Sequence, residues 1–170
     1  GIVDLKRDLD QEIDLVTGEV GLHAAPVVAG DTIIIGAAHE VGSAPVSREN
    51  VKGYVRGYDV RTGERKWIFH TIPWPGEYGH ETWLDDSWRY TGNTGLWGQV
   101  TVDLDLGLAY LPLEMPTGDY YGGHRPGDNL FSDSLVAVNL ETGERVWHYQ
   151  TVHHDVWDLD LPCAPILADI

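Results

Sequence analysis

The sequence predicts an all-β fold built from a four-stranded unit that occurs twice along the chain. Two segments share one motif at a fixed distance, and short runs rich in β-branched and aromatic residues alternate with polar turns. No stretch of a dozen residues keeps the helical period of 3.6. With 42% apolar residues and seven tryptophans among 170 residues, the composition supports a packed core and argues against a disordered chain.

The repeat relates residues 55–71 to residues 135–151 at a constant offset of 80. Each segment contains Thr-Gly-Glu-Arg, followed two residues later by a tryptophan, Trp67 or Trp147. Each copy predicts a β-hairpin, because the glycine allows the positive φ of a tight turn and the tryptophan falls on the returning strand. The Asp or Asn that ends the first strand can hydrogen-bond nearby backbone and fix the turn.

The other strands are placed around these hairpins. The first unit has strands at residues 25–28, 32–36, 54–59 and 66–70, and the second has strands at residues 98–103, 108–112, 134–139 and 146–150. Residues 164–169 resemble residues 25–31, as if a third unit begins there. Four-stranded units in series are the pattern of β-propeller blades. A β-sandwich is the competing all-β arrangement, but it does not predict the repeat.

The predicted organisation is therefore a partial β-propeller. It consists of one blade over residues 23–71, an insertion over residues 72–96, a second blade over residues 97–151 and the start of a third blade over residues 152–170. Long loops between strands, such as residues 113–133, are where functional side chains are expected.

The charge and the cysteine content exclude several classes of function. Asp and Glu number 27 against 11 Lys and Arg, which gives a formal net charge of −16. This excess argues against binding to nucleic acid or to anionic lipid, because both need basic residues opposite phosphates. Cys163 is the one cysteine, which excludes an internal disulfide framework and a cysteine-rich zinc site.

Acidic and imidazole groups are concentrated in residues 153–160, just after the second hairpin. Asp158 follows Trp157, and a carboxylate in such a place could act as a general base. The alternative is a solvated acidic loop with Trp157 in the core. His153 and His154 are adjacent, and on a strand they would point to opposite faces, which disfavours a shared zinc ion.

Three further segments contain residues that could bind a ligand. Trp97 lies in a glycine-flanked segment, so it is either a stacking platform for a flat ligand or another core residue. Glu40, just past the strand predicted at residues 32–36, is either an oxygen ligand for a hard cation or a polar residue at a strand end. Residues 120–129 form a glycine-rich surface loop that could place His124 and Arg125 near a substrate entrance.

The two tryptophan hairpins, taken with residues 150–162, resemble the pyrroloquinoline quinone (PQQ) dependent dehydrogenases. The second segment reads Gln-Thr-Val-His-His-Asp-Val-Trp-Asp-Leu-Asp-Leu-Pro. The branch that looks most similar is that of the quinoprotein glucose dehydrogenases, and the resemblance covers roughly residues 20–170. It implies an eight-bladed propeller with PQQ near its axis and Ca²⁺ or another divalent cation as Lewis acid. It also implies that an aspartate takes the substrate proton while a hydride passes to PQQ.

The resemblance implies a role for four residues. Asp158 matches the catalytic aspartate, which also contacts the cation. Trp97 matches the ring that stacks under PQQ, and Glu40 matches an acidic ligand of the cation. His23 occupies a position where related enzymes contact the cofactor.

Two positions depart from the alcohol-oxidising branch of that family. That branch has a vicinal cysteine pair near PQQ, which a chain with Cys163 alone cannot form there. It also has a metal-binding Asn where this chain has Met115, so either Glu114 replaces that ligand or the coordination differs.

The expected substrate is a sugar or an alcohol, and the expected electron acceptor is a quinone or a cytochrome. The family also implies a periplasmic location, with or without membrane association, and further blades in a longer parent chain. We expect the 170-residue chain to be inactive by itself, because two blades leave sheet edges and inner faces uncovered. The alternatives are a non-catalytic periplasmic propeller scaffold and a hydrolase that uses the histidine-rich segment.

Overall fold

A computed structural model of the protein describes residues 20–21, 24–39 and 47–168. This part of the chain forms a two-stranded pair and two four-stranded sheets. The pair consists of β1 (Val20–Gly21) and β4 (Ala38–His39). The first sheet consists of β2 (Val27–Ala29), β3 (Thr32–Ile35), β5 (Val55–Asp59) and β6 (Arg65–Phe69). The second sheet consists of β7 (Thr101–Asp103), β8 (Leu108–Pro112), β9 (Ser134–Asn139) and β10 (Arg145–Gln150).

Each four-stranded sheet is an antiparallel meander. The strands are hydrogen-bonded in the orders β2-β3-β5-β6 and β7-β8-β9-β10, and every neighbouring pair is antiparallel. The prediction of an all-β fold with two four-stranded units is confirmed, and all eight predicted strands are present. The β1–β4 pair was not predicted, because a two-residue strand leaves no alternating pattern to recognise.

The described loops contain three single-turn 3₁₀ helices, at His80–Thr82, Ser87–Arg89 and Gly122–His124. The first two lie in the segment predicted as an insertion, and the third lies in the long loop between β8 and β9. Within the described ranges, no helix has the length and apolarity needed to cross a membrane.

Asp59 and Asn139 each fix a tight turn through one side-chain oxygen. Oδ1 of Asp59 accepts hydrogen bonds from the backbone N–H groups two and three residues later, both at 2.8 Å. Oδ1 of Asn139 accepts the equivalent bonds at 2.9 and 3.0 Å. The glycine of each turn has a positive φ, +73° at Gly63 and +71° at Gly143. The predicted equivalence of the two hairpins is therefore confirmed.

The main hydrophobic core lies between the two sheets and joins them. It includes Ile34 and Val55 from the first sheet and Leu111 and Val136 from the second, all nearly or fully buried. Trp67 belongs to this core, and its Nε1 donates to the carbonyl oxygen of Leu140 at 3.0 Å, which links the first sheet to the second.

The edge strand β10 of the second sheet carries apolar side chains that the described residues leave partly exposed. Trp147 is the repeat equivalent of Trp67, but it is 40% exposed, and its neighbours Val146 and Tyr149 are exposed as well. The described residues from 151 to 168 contain no strand. The start of a third blade at residues 152–170 therefore stays a prediction, as do the boundaries of the other blades.

Candidate functional site

Three loop segments meet beside the first strand of the second sheet: residues 93–98, 113–120 and 155–162. The first two are joined by two backbone hydrogen bonds of 3.1 Å. The third packs on Gly98, where a β-carbon would lie 2.9 Å from the carbonyl oxygen of Pro162. The meeting point brings together the neighbourhoods of Trp97 and Asp158, which lie far apart in the sequence.

Asp155 shapes the third segment from inside. Its side chain is fully buried, and it accepts hydrogen bonds from the backbone N–H of Trp157 at 3.0 Å and of Leu159 at 2.8 Å. Its own carbonyl oxygen accepts from the Arg125 guanidinium. These bonds curl the backbone around Asp158, whose φ is +61°. Aspartate tolerates this left-handed conformation better than most residues, so the sequence suits the turn.

Asp158 is exposed at the tip of this turn. The Tyr120 hydroxyl donates to its Oδ2 at 3.4 Å. The negative charge of Asp158 raises the pKa of the Tyr120 hydroxyl, so Tyr120 stays protonated and able to donate. Trp157 is 68% exposed, so the alternative interpretation that placed it in the core is wrong. Among the described residues, nothing covers the Asp158 carboxylate, which is open to solvent.

Trp97 is partly buried, and its indole N–H is fixed by a carboxylate. Nε1 donates to Oδ2 of Asp160 at 3.0 Å, and Oδ1 of Asp160 accepts from the backbone N–H of Met115 at 3.0 Å. Gly95 allows a close approach nearby, because a β-carbon there would lie 2.0 Å from the carbonyl oxygen of Ala37. The ring of Trp97 is thus partly exposed, beside a point where two backbone segments approach closely. Trp97 is not a core residue.

Glu114 and Asp160 bring two partly or wholly buried carboxyl groups into electrostatic contact. Burial raises the pKa of Glu114 well above its ordinary value, and the charge of Asp160 raises it further. Burial also raises the pKa of Asp160, against the effect of the hydrogen bonds from Met115 and Trp97. Asn93 hydrogen-bonds the Glu114 carboxyl, whereas the buried Oε1 of Glu114 has no hydrogen-bond partner. A buried carboxyl group is stable only when it carries a proton or lies beside a cation. This carboxyl pair therefore favours the binding of a proton or a cation.

The predicted metal and cofactor contacts are only partly visible. Glu40 and His23 lie outside the described residues. Met115, which stands where the alcohol branch has its Asn, has a buried side chain and offers Asp160 only its backbone N–H. Within the described ranges, no group of three or more His, Cys, Asp or Glu side chains is arranged to hold a metal ion.

The two adjacent histidines contact different groups. Nδ1 of His153 lies 3.6 Å from Oδ2 of Asp128 at the surface. Nδ1 of His154 lies 2.8 Å from the carbonyl oxygen of Gly127 and donates to it. Both contacts attach this segment to the loop between β8 and β9, and they leave the two imidazoles without a common partner.

Arg125 stabilises that same loop. It is fully buried and donates to Oδ1 of Asn129 at 3.0 Å and to the carbonyl oxygen of Gly118 at 3.1 Å. His124, the next residue back, lines a cavity of about 340 Å³ together with Tyr121. The expectation that Arg125 lies at an entrance is therefore wrong, because Arg125 is a buried anchor of the loop at residues 120–129, whereas His124 lines the cavity.

The sequence did not predict the hydrogen-bond partners of Asp158 and Trp97. Tyr120 lies 38 residues before Asp158, and Asp160 lies 63 residues after Trp97. Asp160 belongs to the acidic cluster recognised in the sequence, but the alternating Asp-Leu-Asp pattern does not reveal what the second carboxylate binds. These groups come together because all three segments are attached to strands of the second sheet.

Comparison with known proteins gives concordant results. The family described as "PQQ: Glucose/ethanol/alcohol dehydrogenase, beta-propeller domain" matches residues 1–170. The quinoprotein glucose dehydrogenase of Escherichia coli (strain K12) is 37% identical over the whole of this chain, which covers 20% of that relative. The chain thus spans about a fifth of the length of the curated relatives it matches.

Solved structures agree with the sequence relatives. The quinohemoprotein alcohol dehydrogenase from Comamonas testosteroni has a TM-score of 0.73 at 30% identity, over 86% of this chain and 23% of that one. A europium-containing methanol dehydrogenase has a TM-score of 0.68 at 27% identity, over 85% of this chain and 27% of that one. With a family match over its full length, the chain belongs to the β-propeller family of PQQ-dependent glucose, ethanol and alcohol dehydrogenases.

Proposed function

We propose that this chain, with the rest of its parent protein, forms a PQQ-dependent oxidoreductase that oxidises the CH–OH group of a sugar or an alcohol. The observation that carries the proposal is the meeting of Trp97 and Asp158 at one junction, each with a polar partner from a distant segment. The names of two relatives, a quinoprotein glucose dehydrogenase and a quinohemoprotein alcohol dehydrogenase, support this chemistry.

The residues at the junction suit a flat aromatic cofactor. PQQ needs a planar partner, and the partly open Trp97 ring is held by its N–H beside a backbone that lacks β-carbons at Gly95 and Gly98. We assign Trp97 as the stacking residue. His23, which the family pattern places near the cofactor, is proposed as a second contact.

The acidity of the junction suits a divalent cation. Oε1 of Glu114 is buried without a hydrogen-bond partner, and Asp160 adds a second carboxyl nearby. Carboxylate oxygens are the ligands that Ca²⁺ prefers. We propose Glu40 and Asp158 as contacts of the cation, and the name of the europium-containing relative supports a metal in this family.

The chemistry that bound PQQ supplies is acceptance of a hydride, and a divalent cation supplies polarisation of the carbonyl that receives it. Asp158 accepts the proton of the substrate hydroxyl as general base. The Tyr120 hydroxyl donates to Oδ2 of Asp158, which leaves Oδ1 to accept the substrate proton. Asp155 holds the turn, so Asp158 is positioned before the substrate arrives.

The remaining parts of the proposal concern the whole protein. We propose a quinone or cytochrome as electron acceptor and the periplasm as location. We also propose that the remaining blades cover the apolar face around Trp147. The 170-residue chain alone is expected to give no turnover, because that face and part of the site depend on residues outside it.

The test uses the full-length parent protein, supplied with PQQ and Ca²⁺, and measures dye reduction with glucose and a panel of simple alcohols. Asp158→Asn should lower kcat by about 10²–10⁴-fold, because the amide cannot take up the proton. PQQ binding should persist in this variant. Asp105→Asn is the matched control: Asp105 is an exposed turn residue, and its variant should keep wild-type kinetics.

Absence of dye reduction across the panel, combined with unchanged behaviour of Asp158→Asn, would contradict the proposal and favour a non-catalytic scaffold. Zinc-dependent hydrolysis would point instead to the histidine-rich segment.

A further inference from the structure

We infer that Asp160 is a positioning residue that fixes the orientation of the Trp97 ring in the cofactor site. The inference rests on the proposed function, because it concerns the ring assigned to stack on PQQ. Asp160 differs from Asp158 in what it touches: its two oxygens bind protein N–H groups, whereas Asp158 is exposed.

The geometry uses both oxygens of Asp160. Oδ2 accepts the indole N–H of Trp97 at 3.0 Å, and Oδ1 accepts the backbone N–H of Met115 at 3.0 Å. The second bond ties the carboxylate to the segment after β8, so the carboxylate itself cannot swing freely. The indole N–H of Trp97 is thereby held by a fixed acceptor that lies 63 residues away in the sequence.

An indole ring has one N–H, and a bond at that atom selects one rotamer of the side chain. A bond to a carboxylate is stronger than one to a neutral acceptor. Because Trp97 is only partly buried, packing alone constrains the ring less than it would in a core. A ligand that stacks on the ring then meets a surface whose plane is already set, which lowers the ordering cost of binding.

Two other roles of Asp160 would leave different signatures. If Asp160 only anchors the loop through Met115, its loss destabilises the protein without acting through the indole N–H. If it acts on a cation beside Glu114, its loss weakens binding by the same factor whether or not the indole N–H is present. A double-mutant cycle with Trp97 separates these cases.

The experiment compares the full-length wild type with Asp160→Ala, Trp97→Phe and the double variant. Trp97→Phe keeps a flat ring and removes the N–H. The readouts are the Kd for PQQ by equilibrium dialysis, the separate values of kcat and KM, and the unfolding free energy of the PQQ-free protein. Asp160→Ala should raise the Kd about tenfold when Trp97 is present and less than about threefold when Phe is there. Asp160→Asn, which keeps one acceptor oxygen, should give an intermediate Kd and serves if the Ala variant does not fold.

Asp105→Ala is the control, since Asp105 is an exposed turn residue; its Kd should match the wild type. Equal fold-changes in the Trp97 and Phe backgrounds, with wild-type PQQ binding intact, would overturn this inference and leave the proposed function standing. A wild-type protein that binds no PQQ would overturn both.

Discussion

The indole ring of Trp67 lies directly against Gly143: its nearest atom is 2.6 Å from the place a β-carbon at residue 143 would occupy. The same indole donates its N–H to the carbonyl oxygen of Leu140, three residues earlier. Trp67 belongs to the first hairpin and Gly143 to the second. The motif that builds each hairpin therefore also joins one sheet to the next.

Gly143→Ala should destabilise the protein more than Gly63→Ala. Both glycines have a positive φ near +70°, so both variants bear a backbone cost of about 1–2 kcal/mol. Only at Gly143 does the new methyl group meet the Trp67 ring, whereas the space around Gly63 is open. We expect a further loss of about 1–3 kcal/mol at Gly143 from overpacking, measured as the free energy of unfolding in denaturant.

Gly63→Ala is thus the matched control for backbone strain. Equal destabilisation by the two substitutions would show that the ring can move away and that the Trp67–Gly143 contact does not hold the sheets together.

The hairpins could be predicted from sequence because their determinants are local. A turn glycine, an Asp or Asn acceptor and a run of β-formers lie within a dozen residues of one another. The contact between Trp67 and Gly143 could not be predicted in this way, because it depends on how two sheets stack. The same limit applies to the site: Trp97 and Asp158 were identified from the motif, but Asp160 as the partner of Trp97 required the fold.

Asp133 should make the stability of the protein pH-dependent. Its side chain is fully buried, and burial, followed by the charge of Asp155, raises its pKa from 3.8 to about 8. A carboxyl whose pKa is higher in the folded protein binds its proton more tightly there. The free energy of unfolding should therefore fall as the pH rises from 3.8 to about 8, by at most about 1.4 kcal/mol per pH unit.

Asp133→Asn should flatten this dependence and raise the free energy of unfolding near pH 7, measured by denaturant titration at pH 5, 6 and 7. Asp105→Asn, at an exposed turn carboxyl, is the control and should leave the slope as in the wild type. An unchanged slope in Asp133→Asn would mean that Asp133 is ionised in the folded protein.

Asp155→Asn should lower turnover without touching Trp97, the proposed PQQ contact among the described residues. The N–H groups of Trp157 and Leu159 bind different oxygens of Asp155, and Asn replaces one of these oxygens with an NH₂ group, which cannot accept. One of the two bonds is therefore lost, and the turn that carries Asp158 loosens. Misplacement of a catalytic group by about 1 Å can cost about 10²-fold in rate, so kcat of the full-length enzyme should fall roughly 10- to 100-fold.

Steady-state kinetics, with unfolding of the PQQ-free protein measured in parallel, separates this loss from a general loss of stability. Asp105→Asn again provides the matched control, and a kcat of Asp155→Asn within about twofold of the wild type would show that the turn keeps Asp158 in place without both hydrogen bonds.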